Sequence, residues 1–142
     1  RASASRLAAA QAVDWLREWA WPEEWLPDIA HAIEAHSFSA GIAPRTLEAR
    51  VVQDADRLDA LGAVGLARCL MLGGAMGRPL YAGEDPFCER RAPDDRAACV
   101  DHFHAKLLTL EGTMQTAGGR AEARRRTEFL RLFLAELKRE IP

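Results

Sequence analysis

The amino-acid sequence predicts an all-α fold, and three observations carry that prediction. Apolar residues recur at three- and four-residue spacings along several stretches. A two-residue alternation, the mark of a half-buried strand, occurs nowhere. Helix breakers such as Pro22, Gly41, Pro44, Gly73-Gly74 and Gly118-Gly119 fall between the periodic stretches.

Taken in order, Ser3 or Ser5 is expected to cap a first helix that runs to about Trp19. Leu7, Ala8, Ala12, Trp15, Leu16 and Trp19 form its amphipathic stripe, and Trp21-Pro22 ends it. A second helix is expected from Pro22 to His36, with Trp25, Ile29, Ile33 and His36 facing inward and His31 off that stripe. Residues 37–44 read as a loop. A third helical segment from Arg45 carries Leu47, Val51, Leu58 and Leu61 inward. It is continuous or jogs near its aspartates, and Gly73-Gly74 stops it after Leu72. Gly62 and Gly65 are expected to let another helix approach closely. Residues 75–96 hold five breakers and read as a loop, either the rim of a site or a flexible excursion. Asp94 or Asp95 is expected to cap a fourth helix reaching Leu110, with Cys99, Phe103, Leu107 and Leu110 inward. A last helix spans Arg120 to Glu140, with Phe129, Leu130, Phe133, Leu134 and Leu137 inward.

The 142 residues suffice for one domain with a core, and 49% of them are hydrophobic. A net charge of −2 and no basic stripe count against nucleic acid as a partner. Three cysteines without a C-x-x-C pair argue against a disulfide framework and fit a reducing cytoplasm, the expected location. No apolar run approaches the roughly 20 residues of a membrane span. The sequence has no initiating Met and enters a helix at once, so upstream residues are expected.

Chemistry is expected at Asp54, Asp56 and Asp59, which stand among apolar residues with Arg57 and Arg68 close by. Asp54 follows Val51 by three residues and precedes Leu58 by four, which sets a carboxylate on the apolar stripe of a helix. A buried carboxylate needs an ion partner, hydrogen bonds or a metal. One reading is a network with Arg50, Arg57 or Arg68; the other is a ligand to a hard divalent cation. Asp54 and Asp56 project about 200° apart on a straight helix, so they are not expected to share one ion. His36 is either a satisfied core histidine or part of such a site. His31 reads as a surface or supporting residue. His102 and Lys106, four apart, could hold a phosphate or form a solvated flank. Arg124, Arg125 and Arg126 read as a solvated face, given Glu122 and Glu128. Trp15, Trp19, Trp21 and Trp25 are expected to pack a core corner.

The run Gln53-Asp54-Ala55-Asp56-Arg57-Leu58-Asp59-Ala60-Leu61-Gly62 resembles the HD-domain metal-dependent phosphohydrolases, in particular a small standalone bacterial subgroup. Arg1 to Ser5, His31 to Ser39 and Asp101 to Leu108 fit in the same order, so the resemblance covers nearly the whole chain. It implies a helical bundle of about five or six helices holding one divalent ion. In that family the ligands are a first His, a His-Asp pair and a distal Asp. Only the distal Asp finds a match: the Ala-Asp-x-Leu pattern falls on Ala55-Asp56-Arg57-Leu58. The resemblance thus makes Asp56 the metal ligand, although the stripe favours Asp54, which is kept as runner-up. No adjacent His-Asp occurs in the 142 residues, and in the family it would lie before Arg1.

The implied activity is hydrolysis of phosphate esters or anhydrides, chiefly of nucleotides, by a metal-activated water. His36 and Asp54 would act around the water, while Arg57, His102 and Lys106 would neutralise phosphate charge. Mn²⁺, Mg²⁺, Fe²⁺, Co²⁺ and Ni²⁺ all suit such a site. The expected partner is a small phosphorylated molecule, and a homodimer stays open. The rival reading is a non-catalytic helical interaction domain with a structural Asp/Arg network.

Overall fold

In a computed structural model, residues 2–37, 40–83 and 85–141 are described, together with the side chains from Ala4 onward. Arg1, Phe38 and Ser39, which belong to the quoted resemblance, lie outside the described residues, as do Glu84 and Pro142. The fold is all-α. The described residues form six α-helices and no strand: α1 Ala2–Glu18, α2 Leu26–His36, α3 Leu47–Asp59, α4 Gly62–Ala75, α5 Cys99–Ala105 and α6 Ala117–Glu140. Short 3₁₀ segments cover Glu23–Trp25 and Leu107–Thr113. The chain divides into two compact units, Arg1–Arg57 and Leu58–Pro142.

In the first unit α1 packs on α2. The buried face of α1 carries Ser5 and Ala9, with Leu16 half-buried, and leaves Leu7, Trp15 and Trp19 exposed. The stretch is helical as expected, but the inward stripe is the neighbouring one, made of small residues. Ser5 lies inside the helix and does not cap it, because α1 already begins at Ala2; the Ser3 side chain lies outside those described. Its far end closes where expected, by a specific device: the Trp21 amide donates to the Leu16 carbonyl and the Ala20 amide to that of Arg17, each at 3.0 Å. This paired closure puts Ala20 in the left-handed region at φ 55°, a position glycine usually fills.

The expected second helix is a 3₁₀ turn followed by α2, with Pro27 in the first turn where its missing N–H costs nothing. Leu26, His31, Ala32 and Ala35 are buried; Ile29 and Ile33 are half-buried and Trp25 is exposed. The four tryptophans do not fill a core corner. All are exposed, Trp19 to 68%, and Trp21 meets Trp25 edge to face at 5.9 Å. In α3 the buried residues are Ala49, Gln53 and Asp54, while Leu47 and Val51 face solvent. Ranking residues by bulk misplaces the stripe in all three helices, since close helix packing here selects alanine.

The second unit has a conventional apolar core of Leu61, Val100, Phe103, Leu107, Leu110, Met114, Leu130 and Leu134. Phe103 stacks on Phe133 with centroids 5.9 Å apart. The inward residues expected from 99 to 110 are all buried, and of those expected in α6 only Phe129 is exposed. The long helical segment does break after its aspartates, at Ala60-Leu61. Gly62 sits at φ 70°, and a Cβ there would meet the Arg126 stem at 3.1 Å. A Cβ on Gly65 would lie 2.1 Å from the Ala60 carbonyl oxygen. Gly62 therefore lets α6 approach closely through the stem of Arg126, as expected, whereas Gly65 makes room for the Ala60 carbonyl at the bend before α4. Gly73 is not a stop. It lies inside α4, where a Cβ would fall 2.2 Å from Cys99 Sγ, and it marks the α4–α5 contact.

Residues 76–98 form no regular helix, as expected, but the segment is strapped down. The Asp85 carboxylate accepts from the amides of Glu89, Arg90 and Arg91 at 2.8–3.1 Å, and these bonds hold its carboxyl below the usual range. Arg91 then grips Asp101 on α5 with both Nη atoms, at 2.5 and 2.8 Å. Neither Asp94 nor Asp95 caps α5, which starts at Cys99 and gives way at Lys106 to the 3₁₀ segment. Thr116 caps α6 by accepting from the Gly119 amide at 2.9 Å, so α6 starts three residues earlier than expected.

Candidate functional site

The first unit holds His31, His36, Asp54, Asp56 and Arg57. Asp54 and Gln53 sit on the buried side of α3, with Asp54 only 3% exposed, whereas Asp56 is exposed. The two carboxylates thus lie on different sides of one helix, as their two-residue spacing requires. Arg57 stands between them electrically. Burial pulls its guanidinium below the usual value, and the charges of Asp54 and Asp56 pull it back up.

Helix α2 contributes the histidines. His36 is half-buried, and its Nδ1–H donates to the Ile33 carbonyl at 2.5 Å. A carbonyl only accepts, so Nδ1 carries a proton, and a neutral ring held this way would keep its lone pair on Nε2. That bond satisfies an orphan carbonyl in the last turn of α2 and also fixes the ring. His31 is buried, not at the surface. Its Nε2 accepts from the Arg45 amide at 2.9 Å and so ties the entrance of α3 to α2. Gln53 adds a second tie, its Nε2–H donating to the Ala35 carbonyl at 2.6 Å. Neither role was legible from periodicity, since each rests on a backbone partner 14 or 18 residues away.

Trp25, Asp28, Ile29, Ile33, Glu48 and Val52 line an apolar groove of about 520 Å³ on this unit. Neither Asp54 nor Asp56 lines it.

His102 and Lys106 belong to the second unit. His102 pairs through Nδ1 with Asp95, and the Arg78 guanidinium donates to the Asp95 carbonyl at 2.9 Å. His102 therefore already has an anionic partner within its own unit. The buried acid of this unit is Asp101, which sequence reasoning passed over. It is fully buried, binds Arg91 and accepts from the Asp94 amide at 2.8 Å. The Arg91 guanidinium and these bonds hold its carboxyl down at about 2. Arg125 and Arg126 share Glu122, as expected of a solvated face, but Arg126 also donates to the Leu58 carbonyl at 2.8 Å.

Among the described residues, no three His, Cys, Asp or Glu side chains gather so as to hold a metal ion. The donor set does not fit a complete metal centre, which asks for at least three protein ligands or many oxygens.

Residues 4–61 match the family model of the HD domain, which spans the whole His31–Asp56 arrangement. The chain is 35% identical to YpgQ of Bacillus subtilis over 141 residues, covering 96% of this chain and 63% of YpgQ. The chain is thus similar to HD-domain proteins, through the model match at residues 4–61 and through YpgQ along nearly its whole length. The crystal structure of Bacillus subtilis YpgQ in complex with ADP superimposes with a TM-score of 0.75, covering 94% of this chain and 62% of that one. An HD-superfamily hydrolase from Bacillus thuringiensis matches with a TM-score of 0.74 at 34% identity, over 93% of this chain and 61% of the other. The chain thus spans somewhat less than two thirds of these relatives' length. Across this HD superfamily match, the residue run from Gln53 to Gly62 was the legible signal; the buried ties of His31 and Gln53 were not.

Proposed function

We propose that the protein is a phosphohydrolase acting on phosphate ester or anhydride bonds, with nucleotides as the favoured substrates. The observation that carries this reading is the HD domain match over residues 4–61, which takes in the Asp54–Asp56 stretch. The relative crystallised with ADP supports a nucleotide substrate. Asp56 is the proposed ligand to a divalent ion such as Mn²⁺, since it matches the family pattern and its carboxylate is exposed. Other donors would have to come from beyond the described residues, which do not furnish a coordination sphere. When bound, such an ion acidifies a water and polarises a phosphoryl oxygen.

The chain's own residues have separable tasks. Asp54 and Arg57 hold the charge balance beneath Asp56. His36, with its proton fixed on Nδ1, offers Nε2 to accept a proton or a hydrogen bond from a water. His102 and Lys106 are proposed to neutralise phosphate, for which His102 must give up or share Asp95. The proposed location is the cytoplasm.

Nucleotide turnover with added Mn²⁺ tests the reading in wild type and Asp56→Ala. Loss of turnover in the variant is expected; undiminished turnover removes Asp56 as a ligand. A second reading, a non-catalytic interaction domain, is favoured by the exposed tryptophans and by the incomplete donor set. It predicts no turnover in the full encoded protein and no thermal shift with Mn²⁺.

A further inference from the structure

A cleft of about 520 Å³ opens in the second unit between the 3₁₀ segment Leu107–Thr113 and α6. Its polar lining is Thr109, Glu111, Arg120, Arg124 and Arg131. The spacings of four and seven residues place all three arginines within about 40° on one flank of an ideal helix. That flank borders the buried stripe of Ala123, Thr127, Leu130 and Leu134.

The charges of the cleft do not cancel. Glu111 is the acid that lines it, 3.3 Å from Arg131 and 3.8 Å from Arg124. Glu128 lies 3.6 Å from Arg131 but is not part of the lining. Arg120 has no carboxylate partner among the described residues. Its Nη1 donates to the Met114 and Gln115 carbonyls at 3.3 and 3.0 Å, which sets the plane of its guanidinium in advance. The neighbouring Arg125 and Arg126 differ, being neutralised by Glu122 outside this cleft. An ordinary solvated face scatters its pairs; here two guanidinium groups share one carboxylate, and a third, Arg120, lines the same cleft from the same flank.

We propose that this cleft binds a small oligophosphate anion, with Glu111 holding Arg124 and Arg131 together until the ligand displaces it. Guanidinium forks match phosphate oxygens two at a time, and a chain of phosphates can use several forks at once. The cleft is of the size that small-molecule sites usually have. The site is separate from the Asp54–Asp56 residues in sequence and in unit, so it stands whether or not those residues catalyse.

Calorimetric titration of the full chain with inorganic pyrophosphate tests the proposal. Arg124→Gln, at a mostly exposed side chain, should weaken binding about tenfold, the value of one charge-assisted contact. Arg120→Gln should do the same, and Glu111→Gln should tighten binding by removing the competing carboxylate. Amide shifts of Thr109 and Gly112 should follow the titration in wild type. Absence of pyrophosphate binding, equal affinity in wild type and Arg124→Gln, or sulfate binding as tightly as pyrophosphate would overturn it.

Discussion

The two units of this chain bury opposite kinds of residue. The first buries alanines and polar groups, Ser5, His31, Gln53 and Asp54 among them, and leaves four tryptophans exposed. The second buries Phe103, Leu61, Leu110 and Leu130 around one stacked aromatic pair. The difference teaches where stability and chemistry reside. A core of large apolar side chains stabilises by area removed from water. A core of alanines and hydrogen-bonded polar groups gains less from area and depends on each polar group keeping its partner. The HD domain match, at residues 4–61, falls almost wholly on the polar unit.

Substitutions can break this contrast or sharpen it. Phe103→Ala should have the largest effect, costing about 3–5 kcal/mol in denaturant unfolding, because it empties the centre of the second core. A loss below about 1 kcal/mol would mean that this core does not dominate stability. Arg91→Ala should come next, as a smaller but clear loss in denaturant unfolding, since it strands the buried Asp101 carboxylate. The pair also sets a pH dependence. The Asp101 carboxyl is held at about 2 in the folded chain against an ordinary 3.8, so the unfolded chain takes up the proton first. Stability from this pair is therefore present above about pH 4 and lost as pH falls toward 2. Thermal unfolding across that window should flatten in Asp101→Asn.

In the first unit the expected effects are smaller and follow partners, not bulk. His31→Ala should cost about 1–3 kcal/mol, since the Arg45 amide loses its acceptor. Asp54→Ala and Asp56→Ala form the sharper pair. Removing the exposed Asp56 should change stability by no more than about 0.5 kcal/mol while abolishing turnover. Removing the buried Asp54 should cost about 1–3 kcal/mol in unfolding. Equal stability costs would erase the distinction between the two carboxylates. Last, Ala20→Gly should stabilise by up to about 1 kcal/mol, because Ala20 holds a left-handed φ of 55° at the helix closure.

The helices themselves were legible in the sequence, because three- and four-residue recurrence survives whichever face is inward. The inward face was legible in the second unit, where bulk and burial coincide, and failed in the first. There, size ranks Trp15, Trp19, Leu47 and Val51 inward, while Ala9, Ala32, Ala35 and Ala49 occupy the interior. Of the candidate site, the Gln53–Gly62 run was legible as a family pattern, and Asp54 as a carboxylate on a buried stripe. His31, Gln53 and Asp101 were not, because what makes them matter is a partner distant along the chain. Asp101 could have been noticed as an acid five residues before Lys106 on an apolar helix; its partner Arg91 could not.

The strapped segment between α4 and α5 bears on how the chain meets proteases. Arg90, Arg91 and Arg96 are trypsin sites in a stretch with no helix to protect them. Cleavage needs several residues drawn out into the enzyme's groove. Here the amides of residues 89–91 are held by Asp85 and the Arg91 side chain by Asp101. A nick at Arg91 therefore requires both clasps to open together. The rate of that cut is a clock for local opening, one that should run faster in Asp85→Ala without any change in the helices on either side.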